Sequence, residues 1–168
     1  MNMLRNLRGQ VMIYRIAEER DFFDLAQMRW DFTLDGRNVD ELKLNKEEFL
    51  KECVDFFRSG TNRELWSHWV AVENDVVISS ISVNHIRKVP KPTLYVDEYV
   101  YVTNVYTKPE YRGNKIASKL MDCVVEWGKK KNFELMIVWP SRRAVNYYNR
   151  IGFDGNNDLM ELVLRPDA

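Results

Sequence analysis

The chain has 168 residues, 45% hydrophobic and 12% aromatic, which is enough to bury the core of one ordinary domain. Lys and Arg together number 25, and so do Asp and Glu. That balance gives no long-range field for nucleic acid or an anionic membrane, so the expected partner is a small molecule.

Residues 1–10 lack the apolar centre of a signal peptide, and no window reaches the apolar length of a membrane span, so the expected setting is cytoplasmic. These ten residues are read as an extension, either disordered or lying ahead of a natural start at Met12, which leaves residues 11–168 as one domain. Alternation over residues 13–17 suggests a strand. Phe22, Leu25, Ala26, Arg29 and Trp30 then recur at helical spacing over residues 21–32. Residues 33–45 are polar and carry Asp35, Gly36, Arg37, Asp40 and Glu41, a loop by composition. The next helix, residues 46–58, turns Phe49, Leu50, Cys53, Phe56 and Phe57 to one side, with Ser59-Gly60 ending it. Cys53 and Cys123 both sit in helical patterns beside apolar neighbours. They read as buried, reduced thiols with no metal-binding spacing.

Two strands, residues 65–73 and 76–85, are joined by a tight hairpin at Asn74-Asp75. His68 and His85 fall on these strands and read as structural. Residues 86–98 contain Pro90 and Pro92 and are extended or looped, suited to the rim of a cleft. Residues 99–107 are rich in β-branched and aromatic side chains, and Pro109 stops the ladder. Ile116, Leu120, Cys123, Val124 and Trp127 continue at helical spacing, giving strand, turn and helix. Residues 133–139 are almost continuously apolar and are expected to form a covered strand parallel to 99–107 through a right-handed crossover. The Lys129-Lys130-Lys131 run suits the negative end of the intervening helix. A short helix over 142–150 and a strand pair near Phe153 and residues 159–164 complete the chain.

The turn Arg112-Gly113-Asn114-Lys115 places small and basic residues where the first helical N–H groups have no partner within the helix. Free amides and the helix dipole favour a phosphate there, Gly113 lets it approach the backbone, and Arg112 and Lys115 add charge. Neither Gly-x-x-x-x-Gly-Lys-Ser/Thr nor Gly-x-Gly-x-x-Gly occurs, so a P-loop or dinucleotide fold fits poorly.

The run from Val105 through Tyr106, Thr107 and Arg112 to Ala117 resembles the acetyl-CoA-binding motif of the GNAT superfamily of N-acetyltransferases, Arg/Gln-x-x-Gly-x-Gly/Ala. Arg112 takes the first place and Ala117 the last, while Lys115 replaces the middle Gly. Helical dihedrals at Lys115 would make that replacement harmless. Downstream, Ser141 to Phe153 resembles the family's Asn-x-x-Ala-x-x-Leu-Tyr-x-Lys-x-Gly-Phe, with Ser141 for the Asn, Tyr147 for the Leu and Arg150 for the Lys.

The resemblance implies an α/β fold with a mixed, mostly antiparallel sheet of about six or seven strands flanked by about four helices. It implies that strands 99–107 and 133–139 splay apart around the pantetheine arm of acetyl-CoA, which hydrogen-bonds the backbone near Val105 and Thr107, with Tyr106 between them. The diphosphate would take the amides of Arg112, Gly113, Asn114, Lys115, Ile116 and Ala117, with Ser141 among the cofactor-binding residues. An amine would attack the thioester directly, and Tyr148 would protonate the departing sulfur, a role open to a phenol at neutral pH. Residues 99–107 contain no carboxylate. Glu98 is the chosen general base, with Asp97, Asp35, Asp40 and Glu41 as alternatives. The implied activity is acetyl-CoA-dependent N-acetylation of a small primary amine, without a metal, and a homodimer is open. The acceptor is left among polyamine, aminoglycoside, amino acid and peptide amino terminus. The alternative is an acyl-CoA-binding or regulatory module with this fold and little turnover.

Overall fold

A computed structural model describes residues 2–5, 11–35, 44–93 and 97–155, the first of these by backbone alone. Met1–Val138 form one compact unit and Trp139–Ala168 a second. The first unit is built on a six-stranded sheet in sequential order: β1 (Asn2–Arg5), β2 (Val11–Ile16), β3 (Trp66–Glu73), β4 (Val76–Arg87), β5 (Glu98–Thr107) and β6 (Met136–Val138). Every neighbouring pair is antiparallel except β5 and β6, which run parallel. The mixed, mostly antiparallel sheet is therefore as expected. Strand β1 comes from within residues 1–10, the segment read as an extension.

Side-chain alternation sends successive residues of β3 to opposite faces. His68 meets the rings of Phe22 and Phe57, on α1 (Phe22–Leu34) and α2 (Lys46–Asn62). Its neighbour Trp69 meets Trp127 on α3 (Ile116–Lys130). Two helices thus cover one face and a third the other. Buried Phe22, Leu25, Met28, Phe57, Val70, Val72 and Tyr106 fill the first interface. The hairpin between β3 and β4 turns on Asn74 and Asp75, both at positive φ (49° and 61°), as a tight two-residue turn requires.

Helix α2 runs past Ser59-Gly60, where it was expected to stop, and ends at Asn62. Gly60 is a close-packing residue rather than a terminator: a Cβ there would stand 2.8 Å from Cδ1 of Trp66. Asn45 caps the helix by accepting from the Glu48 N–H at 3.2 Å. In the second unit, α4 (Val145–Arg150) is the short helix expected over 142–150. The strand expected over 159–164 lies outside the described residues, as do Asp40 and Glu41. Among the described residues no helix is long and apolar enough to cross a membrane.

Candidate functional site

Strand β5 pairs with β6 only at Val100–Met136, Tyr101–Ile137 and Val102–Val138, where β6 ends, while β5 continues to Thr107. Its second half therefore has no β6 partner. That half also leaves register with β4, since Ser80 lies opposite Tyr106 but Ser82 lies opposite Thr103. Asn104 and Val105 form a bulge, with Asn104 at φ 49°. Asparagine tolerates that left-handed conformation better than the β-branched residues around it. The bulge was not read from the sequence, although an Asn inside a β-branched and aromatic run was its signal.

Past Thr107 the chain makes a 3₁₀ turn at Pro109–Tyr111 and enters α3 at Ile116. The Tyr111 N–H bonds Lys108 O at 2.9 Å and the Arg112 N–H bonds Pro109 O at 3.2 Å. Among the described residues, the N–H groups of Gly113, Asn114, Lys115 and Ile116 donate no hydrogen bond. Gly113 stands at φ 80°, and a Cβ added to it would meet nothing within 4 Å, so the backbone is open to a ligand there. The Asn114 amide steadies the loop by donating to Tyr111 O at 3.2 Å and Arg112 O at 3.3 Å.

Lys115 does not have the helical dihedrals expected of it. It stands at φ 58° and ψ 19°, the left-handed region that glycine enters without a steric cost. A side chain there costs about 1 kcal/mol. The middle position of the motif therefore takes a backbone conformation that favours glycine while bearing a charged side chain.

Arg112 points toward α1. Its Nε donates to Thr107 O at 3.0 Å, its Nη2 to Asp35 Oδ2 at 2.9 Å, and the guanidinium carbon lies 5.4 Å from the centre of the Tyr106 ring. Thr107 O, expected to be open to pantetheine, is already an acceptor for this side chain. The link to Asp35 spans 77 residues of sequence and carries no local signal. Beside it lies an open cleft of about 620 Å³ lined by Trp30, Asp31, Leu34, Asp35, Tyr106, Lys108, Pro109 and Glu110. Burial first, and then the Asp31 and Asp35 charges, hold the Tyr106 phenol above its usual pKa against the opposing pull of Arg112.

Glu98 is not brought to this turn. It is the first residue of β5, opposite Arg87, at roughly 3.3 Å per residue for nine residues from Thr107. Before the bulge, Thr103 shares the face of Ser82 and His68, so Glu98, Val100 and Val102 project to the α3 side. Asp97 is almost fully buried, with Lys91 Nζ at 3.1 Å and Lys88 Nζ at 3.4 Å from its Oδ2. In the second unit Ser141 O accepts the Ala144 N–H at 2.8 Å. Tyr148 is buried, with Tyr147 and Phe153 rings at 5.0 and 5.4 Å.

Similar proteins carry the assignment further. A crystal structure of a predicted acetyltransferase from Clostridium acetobutylicum with acetyl-CoA is similar at 28% identity and a TM-score of 0.73, over 91% of this chain and 96% of that one. A GCN5-related N-acetyltransferase from Ralstonia eutropha shares the fold at 17% identity and a TM-score of 0.69, covering 90% and 98% of the two chains. Glucosamine-6-phosphate N-acetyltransferase from Arabidopsis thaliana shares it at 14% identity and a TM-score of 0.63, over 92% and 99%. No curated protein sequence matches the chain significantly. The family model described as acetyltransferase (GNAT) family matches residues 22–153, which span α1, the bulged strand, the open-amide turn and α4. With that match over most of its length, the chain belongs to the GNAT acetyltransferase family.

Proposed function

We propose that this protein moves an acetyl group from acetyl-CoA to the primary amine of a small molecule, by direct attack in a ternary complex. The observation that carries the reading is the run of N–H groups from Gly113 to Ile116 with no acceptor of their own, at the positive end of α3. These residues fit a diphosphate: four successive N–H groups have no acceptor, the space beside Gly113 is open, and Lys115 adds a cation. The second half of β5, which runs on past the end of β6, is the complementary feature, an edge able to hydrogen-bond the amides of a pantetheine arm through Val105.

Acetyl-CoA supplies the activated thioester. This chain has to polarise its carbonyl, admit a neutral amine and return a proton to the thiolate. The bulge bears on the first task, because it breaks the β4 register at Asn104 and Val105 and so re-aims their main-chain groups. Tyr148 is the proposed acid, its phenol protonated at neutral pH by ordinary phenol chemistry. Asp31, in the cleft, is better situated than Glu98 to take the ammonium proton, directly or through water. Its Oδ1 already accepts from Gln27 Nε2 at 2.8 Å, which fixes its orientation.

The test is to supply acetyl-CoA with a panel of primary amines and follow free thiol, alongside calorimetry with CoA. Amine-dependent thiol release is expected. CoA binding without release across the panel would favour an acyl-CoA-binding module instead, and no CoA binding would remove the reading altogether.

A further inference from the structure

We infer that the ion pair between Arg112 and Asp35 is a latch on the donor site, which a bound diphosphate opens by taking the guanidinium from the carboxylate. The inference rests on the acetyl-CoA reading above. Arg112 immediately precedes the four unbonded N–H groups, yet its side chain is turned away to Asp35, at 2.9 Å, at the end of α1. From the same Cα the side chain can serve either partner.

Three observations argue for exchange rather than shared binding. The pair is half exposed, 46% and 50%, so water competes with it and it is easily broken. A phosphate takes the planar guanidinium fork at least as well as a carboxylate does, and two charges outbid one. Finally, Asp35 kept in place would set a carboxylate against the incoming anion, a repulsion relieved only when the two separate.

Opening also returns Asp35 to the cleft it lines with Asp31 and Glu110. A cationic amine seated there would favour the open form, and by linkage the donor anion and the acceptor cation would each tighten the other. The specific and exchangeable element is thus the pair itself, and Asp35 is a positioning residue that acts through Arg112.

Calorimetric titration of CoA into the wild type and Asp35→Asn tests this directly. The variant is expected to bind CoA about two- to fivefold more tightly, the range an exposed ion pair can withhold. Pantetheine, which lacks the diphosphate, should bind both proteins equally. In an Arg112→Gln background the Asp35→Asn gain should shrink to less than half. Equal or weaker CoA binding by Asp35→Asn overturns the latch, as does a matching gain for pantetheine or an undiminished gain in the Arg112→Gln background. Failure of the wild type to bind CoA at all overturns the acetyl-donor reading itself and the latch with it.

Discussion

Arg15 grips Asp21 with both ends of its guanidinium, Nη1 to Oδ2 at 2.5 Å and Nη2 to Oδ1 at 3.0 Å, and the same Oδ2 accepts the Glu18 N–H at 2.6 Å. The two side chains are only 13% and 7% exposed, and they tie the end of β2 to the start of α1. Burial pushes the Asp21 carboxyl up, but the Arg15 guanidinium and the Glu18 N–H together outweigh it and leave the group below the usual carboxylate range. The stabilisation is therefore complete above the unfolded pKa, near 4, and is lost as pH falls through the lower folded value. Asp21→Asn should cost roughly 3 kcal/mol at pH 7, because it strands a buried guanidinium. Urea unfolding should show that difference narrowing toward pH 3.

His68 should govern a separate acid limb. It is 2% exposed, with Nδ1 2.9 Å from Ser82 Oγ and Nε2 without a partner among the described residues. Burial, and next the charge of His85, lowers its pKa to about 4. Between pH 6.5 and 4 the unfolded chain takes the proton that the folded one refuses, so stability falls with pH, by up to about 3 kcal/mol across the window. His68→Gln should flatten that limb in urea titrations while leaving the steeper loss below pH 4, which belongs to Asp21.

Lys115→Gly should stabilise the protein by roughly 0.5–1 kcal/mol in thermal or chemical unfolding, because glycine occupies φ 58° without the Cβ clash. Lys115→Ala removes the charge and keeps the clash. It should show no such gain, and this contrast separates strain from electrostatics.

Tyr148→Phe should lower kcat by tenfold or more, roughly the value of a positioned acid, with little change in CoA affinity. Arg112→Ala should raise the KM for acetyl-CoA more than it lowers kcat. Steady-state kinetics with acetyl-CoA and an accepted amine read both, and wild-type kinetics for Tyr148→Phe would remove that residue from the mechanism.

Periodicity and turn chemistry are local signals, and they located most of what they could reach. The hairpin at Asn74-Asp75, helices α1 and α3, and the strand-turn-helix unit around Gly113 all follow from neighbours in sequence. Gly60 misled because a small residue serves both a helix end and a close approach, and only the Trp66 ring decides between them. The backbone of Lys115 was misjudged because its residue type argues against the conformation the turn imposes. Glu98 was chosen by proximity along the chain, whereas the face it occupies depends on strand pairing. The pairing of Asp35 with Arg112 became visible only when α1 was folded against the end of β5.

The irregularity at Asn104 and Val105 also makes β5 change sides. Upstream of it Thr103 shares the face of Ser82; downstream, one residue out of step, Tyr106 reaches Phe32 at 5.6 Å on the same side. Excising either residue would straighten the ribbon at the expense of its allegiance, swinging the Tyr106 ring away from Phe32 and Arg112 and removing a wall from the hollow beside α1. A shortened loop would spare the fold, but a shortened β5 would rewire it.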